Sequence, residues 1–94
     1  MSVVDLKAAT ASADPDERLF ALLDAYVESL SIDERESIAS AALEDESARV
    51  RRAAVGKLMD PAVLVSVARD DADPSVRAAA GTMRSAVASA RSSK

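Results

Sequence analysis

An all-α fold, a short α-solenoid of antiparallel helix pairs with about five main helices, is predicted by three observations. A segment recurs at a fixed period, aspartate–proline pairs punctuate the chain, and apolar residues fall three and four apart. The segment Asp45-Glu46-Ser47-Ala48-Arg49-Val50-Arg51-Arg52-Ala53-Ala54 returns as Asp71-Ala72-Asp73-Pro74-Ser75-Val76-Arg77-Ala78-Ala79-Ala80, every position displaced by 26. Self-similarity at such a period signals units that bury each other's apolar faces, an architecture that displays a binding surface.

Every proline follows an aspartate, at Asp14-Pro15, Asp60-Pro61 and Asp73-Pro74. An N-cap carboxylate accepts from the free amides of a first helical turn, and proline at the next position has no amide to leave unpaired. These pairs therefore mark three helix starts. The first predicted helix runs from Pro15 to about Leu30, with Leu19, Leu22, Leu23, Tyr26 and Leu30 on one stripe and Phe20 and Val27 widening it. Ser31 and Glu34 form a capping box for a second helix to Leu43, facing inward through Ile38, Ala39, Ala42 and Leu43. Glu44-Asp45-Glu46 is the loop that follows.

A third helix, Ser47 to Met59, carries Val50, Ala53, Ala54 and Leu58 on one face and Arg49, Arg52 and Lys57 largely on the other. Asp60-Pro61 stops it and starts a fourth, ending near Arg69, with Val63, Leu64, Val67 and Ala68 apolar. The fifth begins at Pro74 with Val76, Ala79, Ala80, Met83 and Val87 on its stripe. Gly81 within it costs about 1 kcal/mol relative to alanine, and either close helix approach or a solvent-facing position accounts for it. Short turns pair the first helix with the second and the third with the fourth, and leave the fifth without a clear partner. Residues 1–13 are expected to be an N-terminal cap or flexible segment, with Val3, Val4 and Leu6 as its apolar residues. Residues 14–88 form the repeat domain and residues 89–94 a flexible tail.

At Asp45, Val50-Arg51 and Ala53-Ala54, and again at Asp71, Asp73-Pro74, Val76-Arg77 and Ala79-Ala80, the chain resembles the HEAT repeat family, in particular its bacterial HEAT-like type. The resemblance covers about residues 43–88; Ala48 stands where the later unit has Pro74, and residues 14–42 lack the signature. It implies that Asp45, Arg51, Asp71 and Arg77 form a structural ladder between units, with Arg51 reaching the Asp71 turn and Val50 and Val76 in the core. Such domains mostly act as protein-binding scaffolds, and some bind nucleic acid.

Composition narrows the chemistry. With no His and no Cys in 94 residues, Ser-His-Asp and Cys-His nucleophilic systems and the usual zinc sites are excluded. Both glycines are isolated, so no Gly-rich phosphate loop exists. Asp70-Asp71-Ala72-Asp73 fails as a calcium loop, because Val76 and Thr82 stand where a glycine and a bidentate glutamate are needed. No catalytic, cofactor or metal site is expected. The start of the chain lacks a basic, apolar leader and no run approaches a membrane span, so a soluble cytoplasmic protein is the expectation.

Charge is divided unevenly. Residues 1–46 hold 12 acids and 3 bases, and residues 47–94 hold 4 acids and 9 bases. This polarity suits head-to-tail self-association or an acidic partner. A protein-interaction scaffold is the leading expectation, its partner another protein or a second copy. Candidate contact residues are Arg49, Arg52, Lys57, Ala80, Met83, Arg84 and Val87. The alternative is nucleic-acid binding through the basic half; a pI near 4.7 and the two aromatics weigh against it.

Overall fold

In the computed structural model, residues 6–25 and 27–92 are described. They form six α-helices and one 3₁₀ turn, with no strand among them: α1 (Leu6–Thr10), α2 (Pro15–Asp24), the 3₁₀ turn (Val27–Ser29), α3 (Ile32–Glu44), α4 (Ala48–Val55), α5 (Pro61–Asp70) and α6 (Pro74–Ser92).

The helix starts are set by local chemistry. Asp14 accepts from the Asp16 amide and Asp60 from the Ala62 amide, both at 2.9 Å. Ser31 and Glu34 exchange bonds reciprocally, the Ser31 amide donating to Glu34 at 2.8 Å and the Glu34 amide to Ser31 Oγ at 3.1 Å. Asp73 accepts from both the amide and the hydroxyl of Ser75 at 2.7 Å. The Ser75 hydroxyl, then its amide, holds the Asp73 carboxyl below the usual carboxylate range.

Packing follows a different pairing from the one expected. The helices across each short turn pack on one another: α1 on α2, α3 on α4, and α5 on α6 most extensively of all. These pairs then join through α2 on α4 and α4 on α6, and through α1 on α3 and α3 on α5. The expected partnerships of Pro15–Leu30 with Ile32–Leu43 and of Ser47–Met59 with the helix from Pro61 are thus both replaced, and the last helix has a partner in α5. The reason is the short segment 6–10, which supplies a helix that the sequence pattern left ambiguous. Val3, Val4 and Tyr26 lie outside the described residues.

Two boundaries also move. The first long helix ends at Asp24 instead of Leu30, with Ala25 extended at φ −67° and ψ 135°. The Lys57 ammonium sits at this stop. It donates to the carbonyls of Leu23 at 3.3 Å and Ala25 at 2.8 Å, satisfying acceptors that a helix C-terminus leaves open. Helix α4 ends at Val55, and tighter bonds from the Lys57 amide to Ala54 O and the Leu58 amide to Val55 O turn the chain toward Asp60. At the other end α6 continues through Ser92, into the segment expected as a tail.

The core is one cluster of small and branched side chains: Ala21, Leu22, Ile38, Ala41, Ala42, Val50, Ala54, Val55, Leu58, Leu64, Val67, Val76, Ala80 and Val87. Alanine at the helix crossings lets backbones approach, and valine and leucine fill the space between. Leu23 and Leu43, placed inward by their spacing, are exposed. Each side of their helices that packs is only wide enough for the residues one position away.

A methyl group built on Gly81 would meet nothing within 4 Å, so close approach is not its purpose. Gly81→Ala is therefore expected to stabilise the fold by about 1 kcal/mol, read as a higher midpoint in thermal unfolding followed by circular dichroism. A lowered midpoint would contradict the open space beside α6. The depressed Asp73 pKa sets the sign of a second prediction. Stability from this cap is complete above the unfolded carboxylate pKa and is lost as pH falls through the lower folded value. Acid titration of Asp73→Asn should accordingly show less stability loss below about pH 4 than the parent chain does.

Candidate functional site

One motif recurs at the three turns that join α1 to α2, α3 to α4 and α5 to α6. In each, an arginine early in the second helix sends Nη1 back to the carbonyl six residues earlier. Arg18 donates to Ser12 O at 2.7 Å, Arg51 to Asp45 O at 2.8 Å and Arg77 to Asp71 O at 2.7 Å. This clasps the turn to its own helix.

The rest of the guanidinium faces the next pair. Arg18 Nε donates to Asp45 Oδ2 at 2.7 Å and its Nη2 to Oδ1 at 3.1 Å. Arg51 repeats this on Asp71, at 2.8 and 3.2 Å. Each acceptor aspartate also closes its own turn: Asp45 takes the Ser47 amide and Asp71 the Asp73 amide, both at 2.9 Å. The two-pronged arginine–carboxylate geometry is the strongest that these groups form.

The pairs are largely withdrawn from water, with side-chain exposures of 11% and 6% for Arg18 and Asp45, and 14% and 6% for Arg51 and Asp71. The hydrogen bond from Arg18 to Asp45 raises the arginine pKa above its ordinary value. Burying such charges is costly unless every lone pair and proton finds a partner. Here no described buried side-chain nitrogen or oxygen is without a partner.

Arg51 and Asp71 thus meet directly, and Asp45 receives Arg18, which the sequence pattern did not single out. Its signal was present in a degraded form. Ser12-x-Asp14-Pro15-x-x-Arg18 matches Asp71-x-Asp73-Pro74-x-x-Arg77, but with serine for the first aspartate. Its distance to Arg51 is also 33 positions where the later spacing is 26, because α2 runs further past its arginine than α4, the connection to α3 is longer, and α3 is three residues longer than α5.

The candidate contact residues separate into two groups. Arg49, Arg52 and Arg84 are exposed and pair with no carboxylate among the described residues. Lys57 is engaged on the end of α2. Ala80 and Val87, at 0% and 5% exposure, belong to the chain's own core, and Met83 packs half-buried against it. The apolar stripe of the last helix is therefore filled by α5 and α4 and is not a free docking face.

Two open surfaces were not apparent from the sequence. One is an apolar groove of about 360 Å³ between the start of α3 and the α4–α5 loop, lined by Leu30, Ile32, Ala39, Leu58 and Met59. Ile32 and Met59 stand 76% and 56% exposed there. The other, about 400 Å³, is acidic, with Asp33, Glu36 and Glu44 on α3 facing Thr10 and Ala11. Among the described residues no cluster of three metal-ligating side chains occurs, and no helix is long and apolar enough to cross a membrane.

Comparison with protein-family models, with curated proteins and with solved structures finds no match to this chain.

The ladder geometry predicts an ordered series of stability losses. Asp71→Ala strands the Arg51 fork and the Asp73 amide together and is expected to cost about 3 kcal/mol. Asp71→Asn keeps the amide's acceptor and should cost less. Arg77→Ala, which loses a single bond to a carbonyl, should cost least, about 1 kcal/mol. Urea unfolding of the three variants checks the order, and an Arg77 loss equal to that of Asp71 would argue against the ladder as the source of the difference.

Proposed function

We propose that this chain is a short HEAT-like α-solenoid of helix pairs that acts as a non-enzymatic protein-interaction scaffold. The observation that carries the reading is the clasp formed three times over, at Ser12–Arg18, Asp45–Arg51 and Asp71–Arg77. Units built alike, each tied to the next by an arginine on an aspartate, are the structural basis of a repeat array. An array of this kind offers side chains along its length to a partner. The exposed Ile32 and Met59 beside an open groove add apolar area of the sort that contacts another protein.

A second reading has its own observation. Arg49, Arg52 and Arg84 are exposed on the C-terminal half, where bases outnumber acids 9 to 4, which suits phosphate contacts.

Affinity capture of the tagged protein from its native lysate, with and without nuclease, separates the two. A protein retained in stoichiometric amount after nuclease treatment is the expected result. Loss of all retained material on nuclease treatment would replace the scaffold by nucleic-acid binding. In that case Arg49→Glu combined with Arg52→Glu should abolish retention.

A further inference from the structure

We infer that the ladder continues between molecules, the Arg77 edge of one chain docking head to tail on the Glu17 edge of a second copy. This rests on the repeat reading above. Inside the chain, Arg18 and Arg51 each place Nη1 on their own turn and spend Nε and Nη2 on the aspartate of the next pair. Arg77 makes the first of these bonds. Its Nε and Nη2 meet no acceptor among the described residues and are open to solvent, although Nη1 holds its turn in the same way.

The opposite end is missing the complementary half. Ser12 stands at the position of Asp45 and Asp71, and its hydroxyl takes over only the turn-closing role, accepting the Asp14 amide at 3.2 Å. The carboxylate beside it comes from Glu17, whose Oε1 lies 3.3 Å from Ser12 Oγ. Glu17 is exposed and pairs with no cation among the described residues. Among the described residues, one end thus holds a guanidinium without a carboxylate, and the other a carboxylate without a guanidinium.

The surroundings agree in shape and charge. Glu17 precedes Arg18 as Val50 precedes Arg51 and Val76 precedes Arg77. Both valines are buried, at 1% and 0% exposure, whereas no described helix lies beyond α2 in the row α2–α4–α6. On α2, Phe20 lies one turn beyond Glu17 and is 61% exposed, and Asp24, a further turn on, is exposed too. On α6 there is free space beside Gly81, and Ala78 and Arg84 are exposed on either side of it in sequence. One end therefore carries an exposed phenyl ring edged with acid, and the other open space at a glycine edged with arginine. A two-fold arrangement would bring Arg77 against Arg77, so the favoured contact is heterologous.

Sedimentation velocity on the full chain tests this with two variants placed on exposed positions, Glu17→Arg and Ala78→Asp. The latter puts a carboxylate beside Arg77 while leaving the Arg77 clasp intact. The parent chain should gain mass with concentration in steps of one chain and lose it as salt is raised. Each variant alone should remain a single chain with unchanged helical circular dichroism. An equimolar mixture should give a complex of twice the single-chain mass and no larger, because Glu17→Arg retains an intact Arg77 edge and Ala78→Asp an intact Glu17 edge. A parent chain that stays single up to about 1 mM, or a mixture that forms no dimer, would overturn the inference. Either result leaves the capture experiment above unaffected, so failure of this contact and failure of the scaffold reading are separately visible.

Discussion

The bidentate grip of an arginine on the aspartate of the following helix pair is the interaction on which the rest of this structure depends. It does two jobs with one side chain. Nη1 fixes the turn behind the arginine, and Nε with Nη2 fixes the turn ahead. Removing either end would leave a charge buried with unsatisfied partners, so the geometry of one turn constrains the next. Burial alone does not do this, since alanine and valine surfaces slide past one another with little change in contact. The charged ladder adds register to a core that is otherwise non-directional.

Opposite the ladder, the other ends of the helices are held by a different device. Lys57, leaving α4, places its ammonium on the last carbonyls of α2. The second helix pair is therefore anchored to the first at both ends of α2, through Arg18 to Asp45 at its start and through Lys57 at its finish. Between α4 and α6 the single described polar tie of this kind is Arg51 to Asp71, supplemented by the buried Val76 and Ala80. Fastening at fixed points leaves the grooves between helices open, including the apolar one at Ile32 and Met59 and the acidic one on α3. A small all-α chain gains specific surfaces in this way without a large core.

Asymmetry is built into the two ends of the row α2–α4–α6. At one end Glu17 takes the position that Val50 and Val76 hold in α4 and α6, and at the other two Arg77 donors have no acceptor among the described residues. The exposed Phe20 adds apolar area at the acidic end. The division of charge along the sequence, acidic before Ser47 and basic after it, becomes in three dimensions a difference between the two ends of one molecule.

Helix starts, the capping box and most of the core were determined by the sequence itself, because these depend on residues within one turn of each other. Asp14, Asp60, Asp73 and the Ser31–Glu34 pair cap helices wherever those helices go, and Val50, Ala54, Leu64 and Val76 lie on apolar stripes set by a period of 3.6 residues. The all-helical class was legible for the same reason, as was the repeat at 26 positions. Which helices pair was decided only by tertiary structure. The five-residue helix α1 has too short a pattern to read, yet it takes the place beside α2 that the sequence assigned to α3. The ammonium beside the stop at Asp24 comes from Lys57, 33 positions away, and Arg18 joins the ladder through an acceptor 27 positions off. Local periodicity carries no information about a partner so far along the chain. The same limit left Ala80 and Val87 as candidates for contact with a partner. Their stripe was visible in sequence, but that α5 and α4 already cover it became evident only when the helices were packed.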